Sequence, residues 1–162
     1  MAKFCEVKNV EGIRQVVKLA QKIWHEHYTS IIGKDQVIYM LDKFQSKEAI
    51  LAQIEEECYI YCLLCKESAA IGYFSYQIRP NSLFLSKIYL LTEERGKGYS
   101  RTIAAFLEKI AKEHKIDHIT LTVNRQNSDT IAAYEKLGFC ITDTQVEDIG
   151  AGIVMDDYCM EK

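Results

Sequence analysis

Apolar residues change period along this chain, and the changes mark its elements. From Gly12 to His27 the positions Ile13, Val16, Val17, Ala20, Ile23, Trp24 and His27 recur at helical spacing, so they share one face of a helix. Lys34–Lys43 and Lys47–Glu57 read as a second, broken helix. Tyr59–Cys65 and Ile71–Ile78 are apolar and aromatic runs flanking a polar turn near Lys66–Ser68, which predicts antiparallel strands. Phe4–Val7 is a candidate first strand. Pro80-Asn81-Ser82 predicts a turn and Leu83–Leu91 another strand. A helix is expected from about Lys97 to His114, a strand over 118–123 with Ile119, Leu121 and Val123 on one face, and a helix over 128–137. Two last strands, 139–147 and 152–160, meet across Asp148–Gly152. The predicted order is β-α-α-β-β-β-α-β-α-β-β, an α/β chain around a mixed sheet.

The 162 residues contain one proline and neither repeats nor a linker, so a single domain over 1–162 is expected. Apolar residues make up 48% and charged residues 27%, ordinary for a globular core and surface. The net charge of -3 argues against nucleic-acid binding, which calls for a basic surface, and is compatible with a cationic partner. No apolar run is long enough to span a membrane. The opening MAKFCEVKNVEG lacks a signal-peptide core, so a cytoplasmic location is expected. Four of the six cysteines lie in apolar strand-like runs, and buried, reduced thiols are expected there. Cys62 and Cys65 would point to opposite faces of a strand, and no second ligand pair accompanies them, so no metal site is expected.

The segment KIYLLTEERGKGYSRTIAAF, Lys87–Phe106, carries the first candidate chemistry: a strand, a charged turn with Gly96 and Gly98, then an amphipathic helix. The first amides of a helix lack intrahelical partners and sit at the positive end of its dipole, so such a turn suits an anion. Glycines let the backbone approach a phosphate without a Cβ in the way. Arg95, Lys97 and Arg101 add positive charge. Read alone, the segment is equally a structural strand-to-helix turn. It is neither the lysine-containing nucleotide loop nor the three-glycine dinucleotide pattern, since Arg101 stands where a third glycine would be.

A second segment, HITLTVNRQNSDTIAAYEKLGF, His118–Phe139, follows. Asn127 or Ser128 can cap its helix, Ile131, Tyr134 and Leu137 form one stripe, and Gly138 suits a helix stop. Arg95-Gly96-Lys97-Gly98-Tyr99-Ser100, followed by Asn127, Tyr134 and Gly138-Phe139, resembles the GNAT (GCN5-related N-acetyltransferase) superfamily. The resemblance is strong from about Leu83 to Phe139, and the predicted element order agrees with that fold.

The resemblance implies an acyl-CoA N-acyltransferase fold, acetyl-CoA as co-substrate and an amine acceptor. It implies that the main chain of Ile88, Tyr89 and Leu90 holds the pantetheine arm as an added strand, and that the amides of Gly96 to Ser100 hold the diphosphate, with Arg95 and Lys97 beside it. Ser100 stands where Gly or Ala is usual, and is small enough to preserve that approach. Tyr134 is the implied catalytic residue, a phenol that protonates the departing CoA thiolate; by periodicity alone it is a core aromatic. Asn127 would contact the cofactor or start the helix.

Many relatives supply a Glu base on the strand before the glycine turn or on the next one. Here the first reads Leu85-Ser86-Lys87-Ile88-Tyr89, and Thr122 stands at the Glu position of the second. A water chain or another carboxylate, such as Asp156 or Asp157, would substitute. The missing Glu leaves open a second reading, a non-catalytic CoA-binding sensor or interaction module. Candidates for the acceptor pocket are His27 and Tyr28, with Tyr39, while Trp24 reads as core. The acceptor is a small amine, with cationic ones favoured by the acidic balance, or a protein amine. Homodimers are common in the family, and no pattern here specifies one.

Overall fold

The computed structural model describes residues 2–162, with the backbone alone at Lys87; Met1, the first residue of the expected domain, lies outside. The described chain forms two compact units, residues 2–77 with Ser86–Gly98, and Ile78–Leu85 with Tyr99–Lys162.

The first unit begins with strand β1 (Ala2–Glu6), antiparallel to β2 (Ile60–Lys66) from Ala2↔Lys66 to Glu6↔Cys62. Strand β2 returns into β3 (Ala69–Ile78) through Glu67 and Ser68, both left-handed at φ 51° and 69°, the backbone a tight hairpin needs. Helix α1 (Val10–Ile32) starts where the Asn9 side chain accepts the Gly12 amide at 2.9 Å and ends at Gly33, φ 86°. It runs beyond the predicted end at His27, and its last turn carries a back-bond from Thr29 Oγ1 to the His25 carbonyl at 2.7 Å. The predicted break in the second helix separates α2 (Lys34–Gln45) from α3 (Lys47–Glu56) at Ser46, whose hydroxyl accepts the Ala49 amide at 3.1 Å.

The core of this unit is apolar, with Val16, Ala20, Ile23, Val37, Leu41 and Ile50 buried. It also encloses a polar chain that the sequence did not announce. The Tyr73 hydroxyl donates to Gln45 Oε1 at 2.7 Å, Gln45 Nε2 donates to the Tyr61 hydroxyl at 3.1 Å, and Tyr61 donates to Gln53 Oε1 at 2.5 Å. These bonds tie α2 and α3 to β2 and β3, and burial pushes both phenols above their ordinary range. Residues Ser86–Leu90, the second half of β4 (Leu83–Leu90), run beside β3. The approach is close enough that a Cβ on Gly72 would lie 2.5 Å from the Tyr89 carbonyl oxygen.

The second unit holds the first half of β4, parallel to β5 (Ile119–Asn124) from Leu83↔Ile119 to Leu85↔Leu121. Strand β7 (Ile153–Glu161) lies antiparallel between β5 and β6 (Cys140–Gly150). The β6–β7 reversal uses Gly150, Ala151 and Gly152, all at positive φ. Helices α4 (Tyr99–Glu113) and α5 (Ser128–Lys136) complete the unit. Its buried residues include Leu83, Leu85, Ile103, Leu107, Leu121 and Met160. The chain end is held where Ile119 and Lys162 exchange backbone hydrogen bonds at 2.9 Å, with the pairs Lys162–Glu108 and His118–Glu161 beside them.

The mixed α/β fold expected from the sequence is present. The cysteine expectation is corrected: Cys62 is buried, but Cys5, Cys58 and Cys140 are exposed, and Cys65 and Cys159 are half-buried. Cys140 lies on β6, where every residue except Ile149 is exposed. Cys5 lies on β1, which pairs with β2 at one edge. No helix among the described residues is long and apolar enough to cross a membrane.

Candidate active site

Strand β4 ends in Ile88, Tyr89 and Leu90, and the chain then makes a short 3-10 turn, Thr92–Glu94, before Arg95 to Gly98. Gly96 and Gly98 take φ 76° and 86°, a region an L side chain seldom adopts. A Cβ on either would meet nothing within 4 Å, so no neighbouring side chain fills the space beside these two positions. That is the cradle a diphosphate requires, and in this respect the residues fit coenzyme A.

The charges around the turn are less free than their sequence suggests. Arg95 Nη1 lies 3.2 Å from His27 Nδ1, and its Nε donates to the Leu90 carbonyl at 3.4 Å. Since a guanidinium has no acceptor, the His27 nitrogen must be the acceptor in that contact. Lys97 Nζ donates to Glu94 Oε2 at 3.2 Å, and Lys66 lies 3.8 Å from the same oxygen. These are exposed or half-exposed contacts, so a phosphate would compete well for Lys97.

The same unit brings His27 and Tyr28 to the end of β4. The Trp24 ring lies 5.2 Å from Tyr28 and 5.5 Å from Tyr89, Tyr28 lies 6.2 Å from Tyr89, and His27 stands edge-on to Tyr28 at 4.7 Å. Glu26 accepts from Thr92 Oγ1 at 3.2 Å, a second tie between α1 and the chain leaving β4. Trp24 is buried, as its stripe position predicts, and Tyr39, on α2, is half-buried. The link between Arg95 and His27 had no signal in the sequence, because it joins residues 68 apart.

In the second unit, Tyr99 and Ser100 are the first residues of α4. Tyr134 lies on α5 and is 9% exposed. Its position is fixed by the way α5 stops. The Phe139 amide donates to the Tyr134 carbonyl at 3.1 Å, and the Gly138 amide to that of Glu135 at 3.0 Å, with Gly138 at φ 100°. This is the paired bonding of a left-handed helix stop, and Phe139 closes it with an apolar contact on Tyr134.

Asn127 occupies the N-cap of α5 and is 1% exposed, yet its side chain makes no capping bond. The simple capping reading is therefore corrected. Its backbone serves the helix start instead, with the Ile131 amide donating to the Asn127 carbonyl at 3.0 Å. Asp156 is exposed and bonded by Arg125 Nη1 at 3.4 Å, whereas Asp157, its neighbour on β7, is buried. Burial, with the charges of Asp156 and Glu147, pushes the Asp157 carboxyl up to about 6.

Residues 18–139 match the acetyltransferase (GNAT) family pattern, a span that covers most of the chain and both signature segments. The chain belongs to the acetyltransferase (GNAT) family. Accordingly it is an acetyl-CoA-dependent N-acetyltransferase, with acetyl-CoA as co-substrate. It is 27% identical over 144 residues to the spermidine N(1)-acetyltransferase of Thermoplasma acidophilum, covering 86% of this GNAT chain and 89% of that one. The crystal structure of the PaiA N-acetyltransferase of the same organism, in complex with coenzyme A, superposes with a TM-score of 0.81 at 25% identity, over 100% of this chain and 98% of that one. The ribosomal-protein-S18-alanine N-acetyltransferase of Escherichia coli shares the fold alone, with a TM-score of 0.71 at 15% identity over 99% and 92% of the two chains. Nothing in these relatives favours the non-catalytic module.

Proposed function

We propose that this GNAT enzyme acetylates a small cationic amine, of the polyamine class to which spermidine belongs, and that it does so as a single domain over 1–162. The observation that carries the acceptor class is the group of half-buried rings, Tyr28 and Tyr89 with His27, at the end of β4. Aromatic faces attract an ammonium, by about 0.5–1 kcal/mol at exposed sites and more when water is excluded. The net charge of -3 and the similarity to a spermidine N(1)-acetyltransferase point the same way.

In this reading His27 and Tyr28 receive the amine. The main chain of Ile88, Tyr89 and Leu90 holds the pantetheine arm, and the amides of Gly96 to Ser100 hold the diphosphate, with Arg95 and Lys97 at its rim. Asn127 contacts the cofactor. Bound acetyl-CoA supplies the activated acyl group. The amine attacks the thioester directly, and Tyr134 protonates the thiolate, for which a phenol still protonated at neutral pH is suited. Six free thiols agree with a reducing, cytoplasmic compartment. A homodimer, as in other members of the family, would have the exposed edge strand β6 available, with Ile141 44% and Val146 68% exposed.

The test is acetyl-CoA-dependent thiol release across an amine panel, with products weighed by mass spectrometry. Spermidine should give a monoacetylated product with a higher kcat/KM than peptide amines. Acetylation of peptide amines in preference to polyamines would overturn the acceptor assignment.

A further inference from the structure

An amine at neutral pH is an ammonium and must lose a proton before its nitrogen can attack, and neither strand beside the glycine turn supplies a Glu. The second unit holds a carboxylate with no structural employment. Asp157 is 4% exposed, on β7, between Asn124 of β5 and Gln145 of β6 in the strand register. Among the described residues no hydrogen bond or ion pair reaches its carboxylate. The nearby cation is committed elsewhere: the Arg125 guanidinium bonds Asp156 and covers the Tyr158 ring at 5.0 Å. A carboxylate largely withdrawn from water without a partner is costly, and folds hold such groups mainly where function requires them.

Its place in the sheet is equally informative. Asn124 is the last residue of β5, and the chain from there leads directly to Asn127 and to the helix that carries Tyr134. Ligands of open α/β sheets bind outside the carboxyl ends of the strands. Asp157 therefore lies level with the carboxyl end of β5, where chemistry is expected, within the unit that also supplies Tyr134.

We propose that the Asp157 carboxylate is the base that takes a proton from the acceptor ammonium. The proposal rests on the amine-acetyltransferase reading and names the group which that reading leaves unassigned. In the first step R–NH3+ gives one proton to Asp157, leaving R–NH2 and a neutral carboxylic acid. The nitrogen lone pair then forms the C–N bond to the thioester carbonyl carbon as the C–S bond breaks. The sulfur leaves as thiolate and receives the Tyr134 proton, and Tyr134 recovers one from the nitrogen. Asp157 returns its proton to water. The sum is R–NH3+ plus acetyl-CoA giving R–NH–acetyl, CoA–SH and H+.

The surroundings suit a base. The charges that act on its carboxyl are acidic, Asp156 on its own strand and Glu147 on β6, while the Arg125 guanidinium pairs with Asp156. Its own charge in turn helps raise the Cys159 thiol, on the same strand. Burial and these charges raise its proton affinity towards that of an amine and attract a cation.

The experiment is a pH profile of kcat/KM for spermidine acetylation by the full chain from pH 5 to 9, for wild type, Asp157→Asn and Asp157→Glu, with acetyl-CoA-induced thermal shifts measured in parallel. Wild type should lose activity on the acid side with a midpoint near 6. Asp157→Asn should lose roughly 100-fold or more in kcat, the low end of what a positioned base contributes. It should also lose the acid limb while keeping the acetyl-CoA shift. Asp157→Glu should regain part of the rate. Wild-type turnover and an unchanged acid limb in Asp157→Asn would overturn the proposal alone. So would a wild-type profile with no acid limb, a result that needs no variant to fold. A wild type that binds acetyl-CoA but acetylates no amine would overturn the underlying reading, and the proposal with it.

Discussion

The Phe139 ring stands edge-on to the Tyr134 ring, with centroids 5.6 Å apart and planes inclined at 67°. The two residues are joined by the reversal at Gly138, so the Tyr, Gly and Phe of the signature form one mechanical unit. The glycine permits the left-handed turn, the turn returns the chain over the last coil of α5, and Phe139 clamps the phenol from one side.

Replacing Tyr134 by Phe should therefore separate chemistry from packing. The ring and its contact with Phe139 survive, and only the hydroxyl is lost. The expected result is a kcat lower by about 100-fold, in the usual range for a positioned proton donor, with the acetyl-CoA affinity nearly unchanged. Steady-state kinetics beside a CoA-binding titration would check it, and unchanged turnover would remove Tyr134 from the mechanism.

Gly138→Ala should act on the same unit through the backbone. An alanine at φ 100° is strained, and its Cβ would lie 3.1 Å from Lys162 Cε. A loss of about 1–3 kcal/mol is expected from the strain, read by denaturant unfolding. Turnover should fall with it, because Tyr134 would no longer be held in one position.

Gly72→Ala should be more damaging than its exchange of one hydrogen for a methyl suggests. The methyl would sit 2.5 Å from the Tyr89 carbonyl oxygen and 2.7 Å from Leu90 Cδ2, so β3 and β4 would have to separate. Overpacking of this kind costs about 1–3 kcal/mol, and it should show as a lower denaturation midpoint and a weaker acetyl-CoA shift.

Much of this was legible beforehand. The strands and helices were readable because buried faces impose period 2 or period 3.6, as in β5, where Ile119, Leu121 and Val123 are buried. The glycine turn was readable because only glycine accepts its backbone. What escaped depended on residues remote in sequence. Gln45 and Gln53 look like surface residues of polar helices until Tyr61 and Tyr73 arrive from two strands. Arg95 looks like a free phosphate ligand until His27 meets it. Asp157 looks like one acid of a pair, and only the strand register separates buried Asp157 from exposed Asp156. The extra helical turn of α1 escaped because no apolar stripe marks Thr29 to Ile32 as core.

Asp157 also predicts a pH dependence of stability. Its carboxyl titrates at about 6 in the fold, against an ordinary value of 3.8. The folded state thus holds the proton more tightly than the unfolded chain, and stability is lost as pH rises from about 4 to 6. The cost above pH 6 is on the order of 3 kcal/mol at most, since a tenfold change in proton affinity is worth about 1.4 kcal/mol and solvent screening reduces it. Asp157→Asn should therefore raise the Tm relative to wild type at pH 8, with little gain at pH 4. A uniform loss at both pH values would show that the carboxylate contributes structurally.

The most direct test of the account is acetyl-CoA binding at the glycine turn, measured as thermal stabilisation of wild type, Gly98→Ala and Gly98→Glu. Gly98 has φ 86° and nothing within 4 Å of where a Cβ would stand, so both variants share the backbone strain, but only Glu adds bulk and negative charge. At 100 times its Kd, acetyl-CoA should stabilise wild type by about 2.7 kcal/mol. Gly98→Ala should retain most of that shift, and Gly98→Glu should show none. An equal shift in all three proteins would contradict the account, because the diphosphate would then lie somewhere other than the turn that opens α4.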